Sequence, residues 1–512
     1  MRVVIDGYVW LDRKSLAPHQ VANIVRLLTV QPRPTSDVAD GEAIEPILLY
    51  RVDDARGLLG VPRGFYRASR KAGNEEVLHV GMGAPMRSLE TTARFEGRFA
   101  EQETAIDAIL EELRREAWGG AFLQAQPAFG KTCVAIEVAR RLGRRTLILV
   151  HQSFLMKQWI RRIRRFVPEA SIGIIQQNRC EFDRTKDGQA PDFVVAMMQS
   201  LVKDGEGERY PSELYGEDTF GLVIGDEAHH LGAATFAAII ARFPAAYRLL
   251  LTATPRRRDG AEDVFFYHGA PITYVAKTES RRIHVRTLYS DAKLHDIKRG
   301  KYEVKVGAFN SAQIINQICA DKERTRSIVD DLVEAVRQER KIMVVSARLD
   351  HLREMMEQSR RILQEIRLPF EPILDAYTGE WFTGEVWETT TKSHRRGEPK
   401  LAKRSDEDLE RAERANLIFA TSQMVLEALD IPPLDVMVLT TPISDVEQAV
   451  GRIRRQCVAS AECEHYCPWR AGRCLEKPTP ILTDVRDDEI ARLRGMANRR
   501  VQFYRTCEER VE

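Results

Sequence analysis

The chain has 512 residues, 44% apolar and 30% charged, which excludes a disordered or fibrous polymer and leaves room for two or three domains with sizeable cores. Its 77 basic and 75 acidic residues nearly cancel to a net charge of +2, so a nucleic-acid partner must be read from local clusters and not from bulk charge. There is no run of about 18 apolar residues, and the opening MRVVIDGYVWLDRK lacks the apolar core and small-residue cleavage site of a secretory signal. No membrane span is expected, and the expected location is intracellular, in the cytoplasm.

In chain order, residues 1–95 read as a small mixed domain. RVVIDGYVWL and ILLYRV predict strands, SLAPHQVANIVRLLTV a helix between them, and LLGVPRGFY a further strand ending in a turn. Residues 96–288 alternate short β-rich runs (AFLQA, TLILV, SIGII, FVVAM, LVIGD, YRLLLTAT) with helical patterns such as CVAIEVARRL and LMKQWIRRIRRFV. That alternation predicts a parallel sheet with helices on both faces. Residues 289–512 repeat it with KIMVVSA, NLIFAT, DVMVLTTP and TPILTDV as strands. The fold class expected is α/β, with two tandem RecA-like doubly wound lobes behind a small mixed α/β amino-terminal domain. The charged, threonine-rich tract from Glu380 to Glu413 reads as a mobile loop running into the helix DEDLERAERA.

The strongest local signal is AQPAFGKT, Ala125 to Thr132, between a strand and a helix. A tight loop entering a helix offers backbone N–H groups and the positive end of the helix dipole to a phosphate chain. Gly130 permits close backbone approach, Lys131 reaches the outer phosphates of ATP, and Thr132 supplies an oxygen to Mg²⁺. The alternative is a helix cap over a buried lysine stem, which leaves the later motifs unexplained.

LVIGDEAHH, residues 222–230, carries two carboxylates to the tip of an apolar strand, where ligands of parallel sheets collect. Asp226 suits Mg²⁺, Glu227 the orientation and deprotonation of an attacking water, and His229 a relay toward the nucleic-acid side. Taken alone, an acidic pair after a strand is commonly a helix cap. Its occurrence downstream of a phosphate-type loop favours the catalytic reading.

The order AxxxxGKT, DEAH, LTATP (Leu251–Pro255) and QAVGRIRR (Gln448–Arg455) resembles the superfamily 2 helicases, over about residues 96–490. LILVHQSFLMKQW, YRLLLTATPRRRDG and EALDIPPLDVMVLTTP are most similar to the XPB-like branch and its phage and bacterial relatives. The resemblance implies an ATP site split between two lobes and movement on DNA, favoured over RNA, with 3′-to-5′ polarity. It places Gln102 at adenine, Thr252 and Thr254 in the coupling of ATP site to bound strand, and Asp430 near the ribose. It also turns Gln448, Arg452 and Arg455 toward the triphosphate. Ala125, Ala128 and Ala428 stand where the pattern has glycine, and Arg257-Arg258-Asp259 only partly matches the branch's RED tripeptide.

Cys457, Cys463, Cys467 and Cys474 follow at C-x5-C-x3-C-x6-C spacing, in an insert at 457–474. Structural zinc, an iron–sulfur cluster or free thiols are all compatible with that spacing. Trp469, Arg470 and Arg473 in the insert could touch nucleic acid or be ordinary surface residues. Three functions stay open: a helicase or translocase, the motor subunit of a repair, replication or defence assembly, and a nucleotide-gated clamp on DNA or RNA. A monomer is expected.

Overall fold

The computed structural model describes the chain apart from residues 1, 34–44, 70–75, 97–98, 127–128, 203–208, 227–232, 254–259, 277–281, 300–301, 307–308, 387–396, 428–430, 444–445, 455–465, 471–477 and 507–512. The chain forms two units, Met1–Thr278 and Glu279–Glu512. Among the described residues no helix is long and apolar enough to cross a membrane.

The first unit opens with a five-stranded sheet. Its strands are β1 (Arg2–Ile5), β2 (Val9–Asp12), β3 (Arg51–Asp53), β4 (Leu58–Val61) and β5 (Glu76–His79), in the order β3-β4-β2-β1-β5. Period-two alternation buries Val3, Ile5, Val9, Leu11, Leu59 and Val61 on one face and leaves Val4 exposed on the other. The buried face belongs to the same cluster as Trp118, Phe122, Phe236, Phe243 and Phe265 of the lobe that follows, so residues 1–95 share their core with that lobe. Gly7, in the β1–β2 turn, sits so close to the lobe that a Cβ there would stand 1.6 Å from the Ala241 carbonyl oxygen.

LLGVPRGFY, expected as a strand and turn, is instead the strand β4 followed by the helix Arg63–Ser69. Pro62 explains the switch: its fixed φ suits a helix start, and its carbonyl accepts from Tyr66 N at 3.0 Å.

The lobe that follows contains β6 (Gly119–Gln124), β7 (Thr146–Val150), β8 (Ile172–Gln176), β9 (Arg179–Cys180), β10 (Phe193–Met197), β11 (Leu222–Asp226), β12 (Tyr247–Thr252) and β13 (Tyr274–Val275). Their order is β9-β8-β10-β7-β11-β12-β6-β13, parallel except where β9 turns back on β8. Leu147–Val150 and Leu222–Ile224 are buried throughout, as expected for strands covered by helices on both faces.

The second unit has a six-stranded, all-parallel sheet of β14 (His284–Tyr289), β15 (Ile342–Ser346), β16 (Leu374–Tyr377), β17 (Leu417–Thr421), β18 (Val436–Leu439) and β19 (Ile481–Arg486). Its order is β14-β19-β18-β15-β17-β16. Both units therefore carry α/β lobes built on parallel sheets. Residue 288, an expected boundary, falls inside β14, which pairs with β19 in the second sheet.

Part of the tract expected as a mobile loop is an antiparallel hairpin, Glu380–Val386 against Pro399–Lys403, with Phe382 opposite Leu401. Strand-forming Trp381, Phe382 and Thr383 favour it, and the Arg353 guanidinium lies 4.2 Å from the Phe382 ring centroid. The helix Asp406–Arg414 then begins at a capping box, Ser405 Oγ accepting from Asp408 N at 3.1 Å.

Candidate functional site

Strands β11, β12 and β6 are neighbours, so their carboxyl ends share one edge of the sheet. Asp226 ends β11 opposite Leu251, and Thr252 ends β12 opposite Gln124. The chain leaves β6 still tied to β12, with Ala125 N donating to the Thr252 carbonyl at 3.0 Å. Motifs distant in sequence are thus brought together by parallel pairing.

The loop from Ala125 ends at Gly130, which caps the helix Lys131–Leu142 with φ of 96°. Gly130 has no side chain to cap that helix start, whose first N–H groups suit a phosphate. Lys131 Nζ donates to the Ala125 carbonyl at 3.2 Å, folding the ammonium back over the loop. Thr132 lies half-buried in the first turn. Gln102, on the helix Ala100–Arg114, is 9% exposed, and its Nε2 donates to the Phe129 carbonyl at 2.5 Å. The side chain that the resemblance places at adenine here holds the loop's backbone.

Asp226 is 6% exposed, and its Oδ2 accepts from Trp159 Nε1 at 2.7 Å. Trp159, wholly buried, lies on the helix Ser153–Phe166 beside Leu155, Met156 and Ile163. No motif in the sequence marks Trp159 as a partner of Asp226. The available signal was helical spacing, which puts an indole, the only N–H donor among those four, on the inward face of a helix whose outward face carries Lys157, Arg161, Arg164 and Arg165. Thr252 is buried.

On the helix Lys131–Leu142, burial pushes Cys133 up to about 12, which keeps its thiol neutral beside Thr132. Burial also raises the Glu137 carboxyl, but bonds from Arg140 and Arg141 outweigh it and bring the group below its ordinary range.

Glu227, His229, Thr254, Asp430, Arg455, Cys457, Cys463, Cys474 and Arg257-Arg258-Asp259 lie outside the described residues. So do the side chains of Gln448 and Arg470, and all of Arg473. Arg452 is half-buried on the helix Val446–Ile453 of the second unit. Of the cysteine cluster only Cys467 is described, 2% exposed, and among the described residues no group of three or more His, Cys, Asp or Glu could hold a metal ion. Trp469 is not available for stacking on nucleic acid: it is 7% exposed and packs on Phe370, with ring centroids 5.3 Å apart. Lys341 Nζ secures the adjoining chain through the Tyr466 carbonyl at 2.7 Å.

Backbone donors at a helix start, an ammonium and a carboxylate at a strand tip suit a phosphate chain with a divalent cation. The close approach at Gly130 supports the fit, because a Cβ there would collide with Gln102.

Residues 98–257 match the protein-family model described as "Type III restriction enzyme, res subunit". The chain is 27% identical over 357 residues to "Putative ATP-dependent RNA helicase L396" of Acanthamoeba polyphaga mimivirus, covering 69% of this chain and 60% of that protein. It is 25% identical over 259 residues to "Putative helicase 055L" of Frog virus 3, covering 48% of this chain and 54% of that protein. The chain thus spans little more than half the length of these relatives. Its alignment with the crystal structure of T4 UvsW covers 95% of this chain and 90% of that one, at 14% identity and a TM-score of 0.38. By sequence the chain is helicase-like.

Proposed function

We propose that this chain is an ATP-hydrolysing motor of the superfamily 2 helicase type, moving on nucleic acid, with DNA as its track and 3′-to-5′ polarity. The observation that carries the ATPase reading is the meeting of Gly130–Lys131 and Asp226 on one edge of one sheet. In this reading the helix start at Lys131 and the Lys131 ammonium bind the phosphates. Thr132 and Asp226 are the residues that would hold Mg²⁺, whose charge offsets that of the phosphates. Glu227 orients the water and takes its proton, and Thr252, Thr254 and His229 couple hydrolysis to the bound strand. The roles of Gln448, Arg452 and Arg455 in facing the triphosphate, and of Asp430 near the ribose, rest on the motif resemblance. An arginine there stabilises the charge that develops in phosphoryl transfer.

Support for the helicase type comes from the match over residues 98–257 and from the two viral relatives. The mimivirus protein's printed name specifies RNA, which favours a second reading with an RNA track. An ATPase titration against single-stranded DNA, duplex DNA and RNA, with Lys131→Ala as control, decides between them. Stimulation by DNA that Lys131→Ala abolishes is expected. Stimulation by RNA alone transfers the reading to RNA, and hydrolysis indifferent to every nucleic acid at low salt rejects a motor. Strand displacement on a tailed duplex separates unwinding from translocation alone.

A further inference from the structure

Beside the residues assigned to ATP, one buried contact has no role in that scheme. We infer that Trp159 is a positioning residue for the Mg²⁺-binding carboxylate of Asp226, an inference that rests on the ATPase reading above.

Trp159 stands on the helix that follows β7, and Asp226 ends β11, the strand paired beside β7. Its indole offers a single donor, and that N–H is spent on Asp226 Oδ2 at 2.7 Å. Both side chains are buried, so water does not substitute for the bond at low cost. A carboxylate has a broad terminal torsion. A fixed donor on one oxygen restricts the orientation of the group. Partners of this kind, one step removed from a metal, typically govern metal affinity by about 10- to 100-fold.

The bond is anchored on a rigid frame. Leu155, Met156 and Ile163 are buried on the same helix face, so the indole cannot swing away without opening the core. Trp159 touches no phosphate in this scheme. Its effect passes through Asp226, and it should alter the Mg²⁺ requirement more than the affinity for nucleotide alone.

The test is equilibrium binding of a fluorescent, non-hydrolysable ATP analogue to the full chain, titrated with Mg²⁺, alongside steady-state hydrolysis. Two variants are compared with the parent: Trp159→Phe, and the full chain carrying β-(3-benzothienyl)alanine at position 159. The second keeps the bicyclic shape and replaces only the N–H, so it remains informative if Trp159→Phe fails to fold. The half-saturating Mg²⁺ concentration is expected to rise about tenfold in both measurements. Nucleotide affinity without Mg²⁺ should stay within about twofold of the parent. An unchanged Mg²⁺ midpoint in the benzothienyl protein overturns the inference, as does an equal loss of affinity with and without Mg²⁺. If the parent protein itself binds the analogue with no dependence on Mg²⁺, the ATPase reading fails as well, which keeps the two failures distinguishable.

Discussion

The Gln102 side-chain amide occupies the space that a Cβ on Gly130 would need: Nε2 would lie 2.5 Å from it. The same nitrogen donates to the Phe129 carbonyl, so one side chain both shapes the phosphate-type loop and forbids a larger residue at its end. Residue 130 is doubly constrained, by this approach and by a φ of 96°. Gly130→Ala is expected to cost about 1–3 kcal/mol locally. It should weaken binding of a fluorescent ATP analogue by about tenfold or more while the melting temperature falls by a few degrees. An affinity within twofold of the parent would show that the loop tolerates the displacement.

Arg63 joins the amino-terminal sheet to the first lobe. Its buried guanidinium donates to the Ala245 carbonyl at 2.5 Å and to that of Ala246, just before β12, and lies 5.5 Å from the Trp118 ring centroid. Burial of the charge opposes this arrangement and holds the group well below its ordinary pKa. Two effects therefore compete in Arg63→Met: relief of desolvation, and carbonyls deprived of a donor. The Ala246 carbonyl retains Gly119 N at 3.0 Å, which limits the loss. A net destabilisation of about 2 kcal/mol is expected, read from urea unfolding. Deleting residues 1–95 should be far worse and yield insoluble protein, since it uncovers the apolar face shared with Trp118 and Phe122.

Lys341 plays a comparable part in the second unit. Its buried ammonium donates to the carbonyls of Glu413, Ala415 and Tyr466 at 2.8, 2.6 and 2.7 Å. Lys341→Met keeps the stem but removes all three donors, and a loss of about 3 kcal/mol is expected in urea unfolding. Because Tyr466 is one of the three, limited proteolysis should cut faster near Tyr466–Trp469 in the variant. Equal cleavage rates would mean that the packing of Trp469 on Phe370 suffices to hold that segment.

Acid should destabilise both units through buried histidines. Burial, helped by the positive charges of Arg248 and Arg51, lowers His268 from 6.5 to about 3. Burial, helped by Arg324, lowers His351 to about 3 as well. Both are neutral in the fold, whereas in the unfolded chain they take up protons below about 6.5. Between those values the unfolded state binds more protons, so stability is complete above about pH 6.5 and is lost as the pH falls toward 3. His268→Phe preserves the ring set edge-on to Tyr8, with centroids 5.8 Å apart. The fall in melting temperature from near pH 7.5 to near pH 5 should be smaller in that variant than in the parent. A fall of the same size would assign the acid sensitivity to other groups.

Much of this protein was determined along the sequence itself. Continuous apolar runs such as TLILV and LVIGD specify strands buried on both faces, and helical periods between them specify the crossovers. The glycine-lysine-threonine run specifies a helix start that can receive phosphate, because those properties are local to a few adjacent residues.

What tertiary structure decided was every relationship that depends on strand order or on side chains from distant segments meeting. Period-two alternation marks which face of β1 and β2 is buried, but not that the face shares a core with Phe236 and Phe265. Nor does spacing show that Gln102 would bond the loop's own carbonyl, or that Trp469 would leave the surface for Phe370. The partnership of Trp159 with Asp226 exists because β7 and β11 are neighbours while their sequences are not. An indole N–H withdrawn from water needs an acceptor, and only the folded sheet brings the carboxylate within reach.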